Sequence, residues 1–181
     1  MRFEKKYKFP PLESFAFANY LKSNNFNEVY SARIVNSLYY DTNELDLYHD
    51  SVSGIENRKK IRFRYYENNK KLNIEYKIKN ADLGYKKFPK LNNIFHGKLA
   101  PVIFFNNKSI NSKLFLPSNI ERIYFPKIFI TYHRRYFYSA KFNVRITIDK
   151  NLFFSAAKLI KNKINIFEKR QITHNILEVK Y

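Results

Sequence analysis

The stretch KKIRFRYYENNKKLNIEYKIKN, from Lys59 to Asn80, reads as two strands around a turn at Glu67–Lys70. In the first, Ile61, Phe63 and Tyr65 alternate with Lys60, Arg62 and Arg64. In the second, Ile74, Tyr76 and Ile78 alternate with Glu75, Lys77 and Lys79. Side chains on a strand change face at every residue. One face of this hairpin is therefore apolar and aromatic, and the other is crowded with cations around one glutamate.

The pattern recurs outside the hairpin. In VRITID, Val144, Ile146 and Ile148 alternate with Arg145, Thr147 and Asp149, and in NILEVK, Leu177 and Val179 alternate with Glu178 and Lys180. Glu4 and Lys6 share a face of a strand expected over Met1–Phe9. Further strands are expected at Arg33–Asp41, Ile128–Ser139, Asn143–Asp149 and Asn175–Lys180, with another at Ile166–Thr173 and a short strand or turn at Leu45–Ser51. Leu12, Phe15 and Tyr20–Leu21 fall near helical spacing after Pro10–Pro11, which predicts a short helix over Leu12–Lys22. Between Pro89 and Pro126 no period persists. Leu99–Phe105 fits strand or helix, and Ser118 to Glu121 fits a capping box. Many strands and few helices indicate an α+β chain, mainly antiparallel β. A sheet with one cationic and one greasy face can curl into a barrel.

Composition bounds the partners. The chain of 181 residues is 45% hydrophobic, which suits one domain, 1–181, with a sizeable core. It has no cysteine, hence no disulfide framework and no thiolate metal site. No apolar run is long enough to span a bilayer and MRFEKKYKF lacks a signal-type apolar region, so a cytoplasmic location is expected. The net charge of +19 predicts an anionic partner. Lysine excess also fits the drift of an AT-rich genome, so the arginines inside strands are the better witnesses. The four histidines are scattered, and three glycines leave no phosphate-cradling loop.

Polar residues alternating along one strand ordinarily face water. Repetition over several strands argues otherwise. Like charges opposite one another destabilise a sheet, and two cations about 6 Å apart cost roughly 3 kcal/mol at an effective dielectric of about 20. A phosphate-rich ligand would neutralise them. Glu4, Glu75 and Glu178 each precede a lysine by two residues. Either each pairs with a neighbouring cation, or some hold a divalent ion against phosphate.

At these residues the chain resembles the VTC domain, the polyphosphate-polymerase branch of the triphosphate tunnel metalloenzymes, which also include the CYTH proteins. The resembling segments are RFEKKYKF (Arg2–Phe9), NSLYYDT (Asn36–Thr42), LYHDSVSGIENRKKIRFRYY (Leu47–Tyr66), LNIEYKIKN, GYKKF (Gly84–Phe88), ITYHRRYFYS (Ile130–Ser139), VRITID and ILEVKY (Ile176–Tyr181). They come in the family's order over most of the chain. The resemblance implies an eight-stranded antiparallel tunnel with a few flanking helices. It implies Arg62, Arg64, Lys77 and Arg134 as catalytic cations, with Lys6, Arg145, Lys180 and one of Lys86 or Lys87 binding substrate. It implies Mn²⁺ or Mg²⁺ at Glu178, with Glu4 and Glu75 as further candidates. Family members run on past the LEVKY segment into a helix and another basic motif, whereas this sequence stops at Tyr181, as expected of a trimmed member, of a fragment, or of a degenerate protein that binds without turnover.

The activity so implied is transfer of the terminal phosphoryl of a nucleoside triphosphate to a polyphosphate chain. Hydrolysis of a triphosphate in the same fold and polyanion binding without chemistry are the alternatives. Sequence-specific nucleic acid is not expected, because the hairpin sets Phe63 and Tyr76 opposite Arg62, Arg64 and Lys77.

Overall fold

The computed structural model describes residues 3–67, 69–80, 83–87, 103–104, 109–110, 124–161 and 163–181. Strand β1 (Glu4–Phe9) leads through a short turn of 3-10 helix to helix α1 (Ser14–Ser23) and the long strand β2 (Asn27–Asp41). Helix α2 (Asp46–Val52) follows, then the hairpin β3 (Arg58–Tyr66) and β4 (Asn69–Asn80), and β5 (Leu83–Lys87). Two short strands, β6 (Ile103–Phe104) and β7 (Ser109–Ile110), pair with each other. Strands β8 (Phe125–Ser139), β9 (Val144–Ile160), β10 (Lys163–Ile166), β11 (Arg170–Gln171) and β12 (Asn175–Lys180) complete the chain.

The main sheet is antiparallel, in the order β1-β12-β9-β8-β2-β3-β4-β5, with β10 and β11 paired to the far part of β9. β1 and β4 lie far apart in that order, yet Glu4 of β1 reaches Lys77 of β4, Oε2 to Nζ, at 3.8 Å. Only a strongly curled sheet allows this. Among the described residues the edges β1 and β5 are not paired, so the expected closed eight-stranded barrel is found as a curled sheet.

Alternation assigns the two faces. Outside, Leu38, Tyr40, Ile61 and Phe63 pack with Leu47 of α2. A second outer cluster sets Phe137, Ile146 and Ile148 against Ala18 and Leu21 of α1. The two helices thus cover the greasy face, where burial stabilises each large side chain by about 1.5–3 kcal/mol. Among the described residues, no helix is long and apolar enough to cross a membrane.

Several boundaries differ from the sequence expectation. Leu45–Ser51 is not a strand or turn, because α2 occupies it. Its cap comes from upstream: Asp41 Oδ1 accepts from the Thr42 and Leu47 amides at 2.8 and 2.9 Å, and Oδ2 accepts from the Tyr48 amide at 2.9 Å. The residue before the helix, Leu45, sits at φ 61°, an uncommon conformation for leucine. β2 begins at Asn27 rather than Arg33, and β9 continues to Ile160 rather than ending at Asp149. In β9 an irregularity around Asn151, at φ 50°, breaks the alternation without ending the strand. Ile166–Thr173 is not one strand but the end of β10 and the two residues of β11. The proposed turn at Ser118 to Glu121 and most of Leu99–Phe105 lie outside the described residues.

Candidate functional site

Register carries one polar row around the inside of the curl. Glu4 pairs with Lys180 and Lys6 with Glu178, and across β12 these meet Arg145 and Thr147 of β9. Asp149 pairs with Arg134, and Arg134 with Arg33 of β2. On the other side Ser37 and Tyr39 pair with Arg64 and Arg62, Arg62 with Glu75, Lys60 with Lys77, and Lys77 with Lys86. Lys87 pairs with Tyr76, so the register aligns Lys86 rather than Lys87 with the charged row.

The carboxylates sort into two kinds. Glu75 and Asp149 lock arginines. Arg62 donates from Nε and Nη2 to Glu75 Oε2 at 2.8 and 2.5 Å, and Arg64 Nη1 stands 3.7 Å from Oε1. Arg134 donates to both oxygens of Asp149 at 2.5 and 2.6 Å. Glu4 and Glu178 instead share lysines. Lys6 Nζ lies 3.4 Å from Glu4 Oε1 and 3.4 Å from Glu178 Oε2. Lys180 contacts Glu178 Oε1 and stands 3.5 Å from Glu4 Oε2.

Burial alone would raise the Glu178 carboxyl, but Lys180, Arg134 and Lys6 outweigh it and pull it down to about 2. Burial and the Glu178 charge push Glu4 up, and Lys180, Lys77 and Lys6 bring it below the ordinary carboxylate value. Lys60 is held below the usual lysine value, first by burial and then by the charges of Lys77, Lys6 and Arg58 against a favourable Tyr39.

Depth follows exposure. The side chains of Lys6 and Lys77 are 58% and 45% exposed, that of Lys180 35%, and that of Glu178 7%. Arg64 is about as deeply buried, its side chain 8% exposed, and donates to Ser37 Oγ at 3.4 Å and Tyr132 Oη at 3.2 Å. Between the registers of Arg64 and Arg134 the inner face carries an apolar step: Val35 and Tyr132 pair and are buried with Leu152, and Tyr66, Ile130, Ile172 and Ile176 pack on them.

Of the sequence-predicted residues, the curl brings together Lys6, Arg62, Arg64, Lys77, Arg134, Lys180, Glu4, Glu75 and Glu178. Arg145 is exposed at the rim, its guanidinium 5.9 Å from the Tyr138 ring centre. The side chains of Lys86 and Lys87 lie outside the description. Four wall residues were not singled out: Ser37, Tyr39, Tyr132 and Asp149. Asp149 was legible, two residues beyond Thr147 on the row of Arg145. The tyrosines were not, because inner and outer tyrosines look alike in LYY and ITY. The Tyr39 oxygen accepts from Arg62 Nη1 at 3.0 Å. Burial would raise that phenol, and Arg62, Arg64 and Lys6 bring it below the ordinary tyrosine value.

These tyrosines correct the expectation that aromatics stand only opposite the cations. They do not supply free stacking faces, since Arg134 lies 5.0 Å from the Tyr132 ring centre and Arg62 lies 5.8 Å from that of Tyr39. Arg33 likewise rests among Tyr30, Tyr66 and Tyr136 at 4.6, 5.7 and 5.5 Å.

Among the described residues no group of three or more His, Cys, Asp or Glu gathers as a metal site. The pair Glu4 and Glu178 still fits the commoner arrangement for Mg²⁺ or Mn²⁺, in which one or two carboxylates are completed by substrate oxygens and water. Glu75, with arginines on both oxygens, fits it less well.

No curated protein matches the chain. Twelve chains of solved structures match. One is HpAC1 from Hippeastrum, described as an adenylyl cyclase candidate with a dominant triphosphatase activity. It is similar over 100% of this chain and 80% of its own, at 12% identity and a TM-score of 0.48. The family model described as the VTC domain matches residues 5–181. Because that match spans all but the first few residues, the chain belongs to the VTC domain family.

Proposed function

We propose that this protein binds a linear triphosphate in the curl of its sheet and hydrolyses the terminal phosphate. The carrying observation is the pairing of Glu4 and Glu178 on shared lysines, beside Arg64 and Arg134, on one concave wall. Phosphoryl transfer asks little covalent chemistry of a protein. Positioning and charge neutralisation supply most of the catalysis. Arg62 and Arg134 are held rigid by Glu75 and Asp149, so little reordering is needed when phosphate arrives. Water attacks the terminal phosphorus, the bridging P–O bond breaks, diphosphate leaves, and the proton of the water passes to solvent. Glu4 and Glu178 would hold a divalent cation, which offsets charge on the phosphate oxygens.

Family membership favours a second reading, in which the acceptor is the end of a polyphosphate chain and the product a polymer. Hydrolysis comes first because it needs one bound phosphate chain and a water, whereas polymerisation needs a second, acceptor chain on the same wall.

Incubating the protein with ATP or tripolyphosphate and Mn²⁺, with Glu178→Gln alongside, tests both readings. Orthophosphate released by the wild type alone, without a polyphosphate ladder on a gel, is the expected result. A ladder would establish the polymerase. Intact substrate with a raised melting temperature would leave a binding module.

A further inference from the structure

Strand β9 outruns its neighbour β8. Their last pair is Ala156 with Ile128, and from Ala157 to Ile160 the partner of β9 among the described residues is β10 alone. This two-stranded ribbon has one side in the core. Ala157 and Ile164 are 1% and 4% exposed beside Leu47 of α2, with Leu159 packed against them. Alternation puts Lys158 and Ile160 on the other side, with Asn165 opposite Lys158. Phe167 follows two residues later on that side, its amide donating to the Ala156 carbonyl at 2.9 Å. Ile160 and Phe167 are each 46% exposed, and Lys158 and Asn165 are exposed with them. The charge here is one-sided. Residues 150–170 hold six lysines and arginines and a single acid, Glu168. Lys158, Lys161, Lys169 and Arg170 are exposed, and among the described residues none of them stands in an ion pair. On the concave wall, by contrast, Glu75, Asp149 and Glu178 balance their neighbours. Single exposed apolar side chains need no explanation. Two of them among unbalanced cations match a bilayer that contains anionic lipids. Its headgroups meet the cations and its acyl boundary takes the apolar groups, with no shaped partner required. Nucleic acid fits less well. Bases stack on flat rings, Ile160 has none, and Lys169 already covers the Phe153 ring at 4.0 Å.

We propose that the open side of the β9–β10 ribbon docks on an anionic membrane surface. Ile160 and Phe167 enter the headgroup layer, and Lys158, Lys161, Lys169 and Arg170 pair with lipid phosphates and carboxylates. The contact is peripheral. It uses none of the residues placed in the phosphate site, so it stands whether that site hydrolyses, polymerises or only binds.

The test is cosedimentation of the full chain with vesicles of phosphatidylcholine alone and of phosphatidylcholine mixed with phosphatidylserine. Binding to the mixed vesicles is expected to be stronger by about tenfold or more and to fall as salt is raised. Each lysine removed should weaken it by about fivefold, so Lys158→Ala with Lys161→Ala loses about twentyfold. Ile160→Ser with Phe167→Ser should lose about tenfold. Both double variants keep the wild-type affinity for tripolyphosphate, and saturating tripolyphosphate leaves wild-type vesicle binding in place. The chain has no tryptophan, so Phe167→Trp carries the sole reporter. Its emission should shift to the blue with the mixed vesicles and not with phosphatidylcholine alone. Absence of binding to the mixed vesicles overturns the proposal. So does equal binding by wild type and the serine variant, or an unshifted emission, because the contact would then be charge alone. Vesicle binding abolished by tripolyphosphate would assign the lipid to the concave wall and overturn it as well. Single-stranded RNA bound tightly where vesicles are not, with the same loss in the two double variants, would give the face to nucleic acid instead.

Discussion

Replacing Glu178 with Gln removes the carboxylate that Lys6, Lys180 and Arg134 hold in common. The Glu178 carboxyl stands at about 2 against an ordinary 4.5. At 1.36 kcal/mol per unit, that difference corresponds to roughly 3 kcal/mol favouring the charged form. Its lysine partners are 58% and 35% exposed, so solvent screening reduces the figure to about 2 kcal/mol. The folded value lies below the unfolded one. The contribution is therefore complete above pH 4.5, shrinks as pH falls below it, and is gone near pH 2. Urea unfolding of wild type and Glu178→Gln at intervals from pH 7 to pH 3 checks this. The variant should be about 2 kcal/mol less stable at pH 7, a loss of about 4–8 °C in melting temperature for a chain of this size. The gap should narrow through the acid range. A variant equally or more stable at pH 7 would refute the reasoning, because Glu178 would then not be relieving repulsion in the wall.

Three further outcomes follow from individual contacts. Glu75→Gln strands Arg62 and Arg64 and should cost about 3 kcal/mol in a urea melt. Saturating tripolyphosphate should restore more of the melting temperature than it adds to wild type. Asp41→Ala removes three amide acceptors at the start of α2 and should cost about 1–2 kcal/mol, with faster hydrogen exchange confined to that helix. Phe137→Ala, at a side chain 1% exposed on the outer face, should cost about 3–5 kcal/mol while leaving tripolyphosphate affinity of the folded protein unchanged.

The two faces of the sheet were legible wherever charge and grease alternate strictly. Lys60 to Tyr66 and Val144 to Asp149 show this, and the register confirms their sides. Legibility fails where the physical cause is remote in sequence. The cap of α2 comes from Asp41, upstream of the helix, so the residue-before-helix rule finds only Leu45. β9 runs on because β8 and β11 pair with it beyond Asn151, and no local pattern announces that pairing. Glu75 and Glu178 look identical in sequence, each two residues before a lysine. Their environments differ because β3 presents arginines to one and β1 presents Lys6 to the other. The inner apolar cluster was illegible for the same reason, since Val35, Leu152 and Ile176 come together only in the folded sheet.

The central claim is that a triphosphate binds inside this curl, on the wall that carries Lys6, Arg62, Arg134 and Lys180. The most direct measurement is a crystal structure with tripolyphosphate bound. The account predicts density for the phosphates on that concave wall, within ion-pair reach of these lysines and arginines. Phosphate held only on the outer surface, or no bound phosphate at all, would contradict it.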